Sequence, residues 1–259
     1  MGSSTVEPKS SVVEKLNLKW GLQLLSSSIG RKFVMGVTGL LLCGFLVAHL
    51  AGNLLLFAGK AQFDHYAHTL HSQEWLPFAE AGLLVLFLAH IYLAFATTKE
   101  NKSARSVEYA VKQSKLPGKV LDISPPSNWM FASGAVVLGF LILHLIDLRL
   151  GLRPDVPQGT EADAFYNTVH VVSNSYSRLV YFVGILFLGF HLSHGFSSAF
   201  QSLGLSHPKY TPTIKLFGLV FAILISVGFA SIVILVPGLK HVQDELKNPP
   251  IVIETHSLD

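Results

Sequence analysis

The sequence predicts an all-α integral membrane protein with five transmembrane helices, and three observations predict it. Half of the 259 residues are hydrophobic and only 14% are charged, against about 25% charged in a typical soluble domain. The apolar residues fall into long blocks, and five of these approach the ~20 residues that a helix needs to cross hydrocarbon. Lys and Arg are unequally shared among the segments between the blocks, as expected of a chain with a fixed orientation in a bilayer. The net charge of +3 is small, and a lipid bilayer rather than nucleic acid is the expected surroundings.

Residues 1–30 read as a cytoplasmic N-terminal arm, polar and Ser-rich, with Lys9, Lys15 and Lys19. Within it Leu16–Leu25 fits a short amphipathic helix lying on the membrane surface. No apolar core followed by a small-residue cleavage site is present, so removal as a signal peptide is not expected. Arg31 and Lys32 mark the edge of the first span. The spans are placed at about 33–57, 77–98, 129–151, 178–201 and 214–238, which makes 31–239 a five-helix membrane domain.

The N-terminal arm is basic, as are the second loop (Lys99, Lys102, Arg105, Lys112, Lys115, Lys119) and the fourth (Lys209, Lys215). The first loop has only Lys60, against Asp64 and Glu74, and the third sets Arg149 and Arg153 against Asp147, Asp155, Glu161 and Asp163. By the positive-inside rule the N-terminus is cytoplasmic, and five crossings leave 240–259 as an extracytoplasmic tail. Between Lys60 and Trp75, the residues His65, His68 and His71 recur every third position of a short helix. An interfacial helix with polar histidines is the favoured reading over a metal site. The second loop ends in Pro125-Pro126-Ser127, which would stop a helix before the third span. No soluble domain, glycine-rich phosphate loop or internal repeat is expected. The single cysteine, Cys43, excludes a disulfide framework, a cysteine-ligated iron–sulfur cluster and covalent haem attachment within the chain. It reads as a small buried apolar residue.

Histidine inside hydrocarbon is costly unless something binds it. Each of the first four spans carries one deep histidine, His49, His90, His144 and His191, and the fifth carries none. At about 1.5 Å per residue, His49 lies ~24 Å and His144 ~22 Å from the cytoplasmic starts of two outward-running helices. His90 and His191, on inward-running helices, lie roughly 12–15 Å from the cytoplasmic end. The four fall into two levels, His49 with His144 and His90 with His191. That is the geometry of two bis-histidine haems b stacked in a four-helix bundle. With both axial positions filled, such a haem transfers electrons rather than binding oxygen.

Met35 and Met130 sit at the span mouths, too shallow to be ligands. Gly44, Gly52, Gly139, Gly184, Gly189 and Gly195 lie near the ligand turns and leave room for a cofactor or a neighbouring helix. Candidate partners for anionic haem propionates are Ser28, within Ser26-Ser27-Ser28, with Arg31 and Lys32 on the inside, and Arg178, Arg149 and His170 on the outside. His191 and His194 lie about 60° apart around one helix, so only one of them can face His90.

The motifs Ser28-Ile29-Gly30-Arg31-Lys32-Phe33, Val47-Ala48-His49-Leu50-Ala51-Gly52-Asn53, Tyr66-Ala67-His68, Leu88-Ala89-His90, Glu100-Asn101-Lys102-Ser103-Ala104-Arg105, Leu143-His144-Leu145, Phe190-His191-Leu192-Ser193-His194-Gly195-Phe196 and His207-Pro208-Lys209-Tyr210-Thr211-Pro212 are together distinctive. With them, residues 24–236 resemble the cytochrome b (b558 family) membrane-anchor subunit of succinate:quinone oxidoreductases, the single-polypeptide di-haem kind. The resemblance implies partner subunits, a flavoprotein and an iron–sulfur protein of a succinate dehydrogenase or fumarate reductase, in a heterotrimer that can pair into a dimer. It implies a bacterial cytoplasmic membrane, and menaquinone or another quinone as the electron partner near the outer surface. It makes His90 and His191 the ligands of the haem proximal to the iron–sulfur subunit, with His49 and His144 holding the distal haem. His194 then becomes a surface or propionate partner.

Glu80 opens the second span on the outer side and is a candidate for proton exchange with a quinol, with His68 a second candidate. Catalysis on succinate would belong to another chain. The competing readings are a cytochrome b anchor for a different dehydrogenase and a haem-free transporter with a histidine relay, the latter wanting mid-membrane acids that the spans lack.

Overall fold

The computed structural model describes residue 23 and residues 27–103, 129–153 and 164–247. Apart from Gln23, the anticipated surface helix over Leu16–Leu25 lies outside the described residues, as do most of the basic second loop and the chain beyond Lys247. Every element described is helical: α1 (Ser28–Asn53), α2 (Lys60–His71), α3 (Leu76–Ser103), α4 (Trp129–Leu148), α5 (Ala164–Ser173), α6 (Ser175–Ser202), α7 (Thr211–Leu235) and α8 (Lys240–Lys247), with 3-10 turns at Leu54–Phe57 and Val236–Gly238. The chain is an all-α membrane protein. Five helices, α1, α3, α4, α6 and α7, are long and apolar enough to cross a bilayer.

Local chemistry explains where the spans start and stop. Ser27 has extended backbone, and its hydroxyl accepts from the Gly30 amide at 2.9 Å, which satisfies one of the orphan N–H groups of the first turn. Asn174 does the same for α6, accepting from Tyr176 and Ser177. At the far end of α6, Gly204 has φ of +80°, a left-handed stop that glycine alone adopts without strain. Pro212 lies in the first turn of α7, where its missing N–H would be unpaired in any case.

Helix α3 packs on α1, α1 on α6 and α6 on α4, while α7 lies along α6 and touches α1. The first four spans thus form a bundle in which α1 faces α4, and α3 faces α6, across the diagonals. The fourth edge, between α3 and α4, is wide. Long side chains bridge it, through Phe95 and Phe131 (ring centroids 5.2 Å) near one end and the Glu80–Arg149 ion pair (2.8 Å) at the other. The two ends of the bundle are named below for Arg31 and Glu80.

The tightest packing lies at the Glu80 end. There α2, α5, α8 and the two 3-10 turns close over the bundle, burying Leu56, Phe165, Val169, Val236 and Val242 completely. The Asp64 carboxylate of α2 accepts from the Phe165 amide at 2.8 Å, capping the start of α5. Lys60 pairs with Glu245 of α8. Val242 therefore ties the segment after the last span into this cap. Inside the spans, Cys43 is buried with Leu192, Ala222 and Ile225, as an apolar residue would be.

Candidate functional site

The four deep histidines meet in two pairs. The rings of His90 (α3) and His191 (α6) lie edge to face with centroids 6.4 Å apart, and those of His49 (α1) and His144 (α4) lie edge to face at 5.8 Å. Each pair spans one diagonal of the bundle. The ring that meets His90 is that of His191, not of His194.

The His90–His191 pair is held by hydroxyls. Thr38 Oγ1 of α1 lies 3.2 Å from His90 Nδ1, and Ser133 Oγ of α4 lies 3.3 Å from His191 Nδ1. Both hydroxyls also donate to the carbonyl three residues back, Met35 and Met130, each at 3.1 Å. The neighbouring glycines make room. A Cβ on Gly39 would stand 3.4 Å from His90 Cε1, and one on Gly134 would stand 3.3 Å from His191 Cε1.

The His49–His144 pair is ringed by aromatic side chains. Phe45 stacks on His49 at 5.2 Å, and Phe229 of α7 lies 5.7 Å from it. Phe140 and Tyr181 each lie 5.8 Å from the His144 ring. His144 Nδ1 is shielded from solvent and has no hydrogen-bond partner.

Thr38 and His49 are eleven residues apart on α1. That returns to within about 20° of the same face and separates the two levels by about 16 Å. The expected order of the pairs along the bundle is the one observed.

Thr38, Ser133, Gly39 and Gly134 are not singled out by hydropathy or spacing. The signal that reveals them is an internal repeat, which corrects the expectation that the chain has none. Residues 35–50 and 130–145 share Met35 with Met130, Gly39 with Gly134, Gly44 with Gly139, Phe45 with Phe140, Leu46 with Leu141, His49 with His144 and Leu50 with Leu145, while Thr38 matches Ser133 as a hydroxyl. Among the other glycines, Gly184 lies under the Phe140 ring, Gly52 under Tyr66 and Gly189 against Ser226. A Cβ on Gly195 would meet only Met130 Cε, at 3.8 Å, and a Cβ on Gly44 or Gly139 would have no neighbour within 4 Å.

The remaining candidates are spread over both ends. Arg31, half-buried, forms an ion pair with Glu100 of α3. Ser28 and Lys32 are exposed beside it. Arg178 lies half-buried in the first turn of α6, and the His170 ring packs 5.8 Å from Tyr166. Glu80 accepts from Arg149, a hydrogen bond that holds the guanidinium above its ordinary pKa. His65, His68 and His71 are exposed on α2, and among the described residues no group of three or more potential metal ligands forms.

At the Glu80 end a crevice of about 220 Å³ opens between α4 and α6, lined by Leu143, Asp147, Leu152, Arg153 and Ser177. In it Arg153 donates to Ser177 Oγ at 2.6 Å and lies 3.7 Å from Asp147 Oδ1.

The donor set fits a pair of ligated metal centres. Imidazole nitrogens bind transition metals at about 2 Å, so two rings sharing one ion have centroids roughly 6 Å apart. Both observed separations are close to this. A hydroxyl on Nδ1 leaves Nε2 available to a metal, and the unpartnered His144 nitrogen is a group that calls for a ligand. Compared with family models, curated proteins and solved structures, the chain has no match.

Proposed function

We propose that this chain is a di-haem cytochrome b that anchors a succinate dehydrogenase or fumarate reductase in a bacterial cytoplasmic membrane and passes electrons between its iron–sulfur subunit and a quinone, menaquinone by resemblance. The observation that carries the reading is the meeting of four histidines, one from each of four spans, in two diagonal pairs about 16 Å apart along the bundle. His90 and His191 would hold one haem b, and His49 and His144 the other. Haem bound there would supply a one-electron carrier at each level.

The chain's own residues perform the rest. At each site two imidazoles would hold the haem, which would restrict it to electron transfer. Phe45, Phe140, Phe229 and Tyr181 surround the His49–His144 pair and exclude water from it. Arg31, with Lys32 and Ser28 close by, places positive charge and a hydroxyl at the end nearer His90, where propionates and the iron–sulfur partner are proposed. In this reading the N-terminus is cytoplasmic and the Glu80 end faces outward.

Two carboxylates at the outer end could exchange protons with a quinol. Glu80 is salt-bridged to Arg149, Asp147 lines the crevice between α4 and α6 and lies 3.7 Å from Arg153, and His68 is exposed on the cap above. The crevice position favours Asp147 over Glu80, since it lies one helical turn from a ligand.

The dehydrogenase assignment is tested with membranes holding the whole complex. Succinate should bring up the reduced bands of b-type haem, and a quinone-site inhibitor should change the extent of reduction. Haem that stays oxidised with succinate but is reduced by dithionite would assign the cytochrome to another dehydrogenase.

A further inference from the structure

We propose that Thr38 and Ser133 are matched positioning residues: each hydroxyl accepts from the Nδ1–H of one histidine of the His90–His191 pair, fixing its tautomer and ring orientation with Nε2 as the ligating atom. The proposal rests on the reading above and deepens it.

The proton count decides the direction of these contacts. A Ser or Thr hydroxyl has one proton and two lone pairs. In both residues the proton has a partner already, the carbonyl of Met35 or of Met130 at 3.1 Å. What remains toward the imidazole is a lone pair, so the ring nitrogen at 3.2 or 3.3 Å must be the donor.

The glycine that follows each hydroxyl completes the seat. A Cβ on Gly134 would already be tight against the Cε1 edge of His191, at 3.3 Å, and one on Gly39 would stand in contact with that of His90, at 3.4 Å. The two seats are the same unit used twice, since Thr38-Gly39 and Ser133-Gly134 occupy equivalent places in the repeat. Each lies on the helix that supplies a ligand to the other pair. Helices α1 and α4 therefore each supply an iron ligand at one level and an imidazole seat at the other. An acceptor on Nδ1–H raises the basicity of Nε2, which favours the ferric state and lowers the potential of the haem held there.

The test replaces the hydroxyls in the whole complex by Thr38→Val and Ser133→Ala, with Thr38→Ser and Ser133→Thr as conservative controls. Both hydroxyl-deleting variants should keep two haems per chain. They should raise the midpoint potential of one haem and shift its low-spin EPR signal, leave the other haem unchanged, and be rescued by the controls. Unchanged potentials and EPR signals in both variants, or an equal shift in Thr38→Ser and Thr38→Val, would overturn the proposal. Should Thr38→Val fail to fold, Ser133→Ala decides it alone.

A second readout needs no haem. Nitrogen-15 NMR of histidine-labelled, haem-free chain should find His90 and His191 as Nδ1–H tautomers, with that preference lost in the variants. A wild-type chain that binds no haem but shows these tautomers would defeat the functional reading and keep the seats. A haem-binding chain without the tautomer preference would do the reverse.

Discussion

The two histidine pairs use the same side chain, in the same four-helix bundle, at nearly the same ring separation, and yet their surroundings differ in kind. At the Arg31 end each ring has a hydroxyl on Nδ1 and a glycine beneath it. At the Glu80 end the rings stand among Phe45, Phe140, Phe229 and Tyr181, and His144 Nδ1 has no partner. A buried nitrogen left unpaired costs about 1–3 kcal/mol. The first pair is therefore preorganised by the chain itself, while the second depends more on what it binds. The difference follows from the repeat. Helices α1 and α4 carry a hydroxyl–glycine unit three turns before their histidines, and α3 and α6 carry no counterpart.

The largest effect should come from deleting one ligand. His191→Ala is expected to remove one haem and leave the other, His144→Ala to remove the complementary one, and His194→Ala to keep both. Haem per chain and the reduced band positions measure this. Loss of both haems from every single variant would mean that the pairs are not independent sites.

Next in size is the glycine seat. Gly134→Val should displace His191 and lose the same haem as His191→Ala, because even a Cβ there stands 3.3 Å from the ring. Gly134→Ala, which adds only that Cβ, should lose less of it. Equal loss of the other haem from Gly134→Val would put the damage in general helix packing instead.

The cap should separate the pairs in a different way. Phe165→Ala removes a fully buried ring and should cost about 3–5 kcal/mol. On heating, the His49–His144 haem, beneath the cap, should then be lost before the other. Simultaneous loss would show that the cap does not support one pair in particular. The smallest effect belongs to Glu80→Gln. Its ion pair with Arg149 is largely exposed and is worth under about 1 kcal/mol, so thermal stability and both haems should be nearly unchanged. A fall in quinol turnover with the haems intact would assign proton transfer to Glu80 rather than Asp147.

Much of this is legible in the sequence because membranes impose simple rules. Five apolar blocks become five long helices, and their ends move by only a few residues where Ser27 and Asn174 cap the chain earlier than hydropathy shows. The pairing of His49 with His144, and of His90 with a histidine at the inner level of α6, follows from depth, since helix rise is constant, while the choice of His191 over His194 comes from the family resemblance. The seats are hidden for a different reason. Thr38 and Ser133 are ordinary residues in apolar runs, and they gain meaning only once α1 lies against α3 and α4 against α6. The repeat carries the signal, spread over scattered identities that a search for long similarity passes over. Glu80 looks like a lone carboxylate because its partner, Arg149, is far away in the sequence. The cap is equally hidden, since Phe165 and Val242 sit in short helices whose burial depends on how three such helices meet.

The central claim is that each histidine pair holds one haem, and the most direct measurement is the haem-to-chain ratio, with the oxidised and reduced spectra, of the purified complex. The account predicts two low-spin b-type haems per chain, each removed separately by His191→Ala and His144→Ala. A chain that purifies folded with no haem, or with one haem lost equally in both variants, would contradict it.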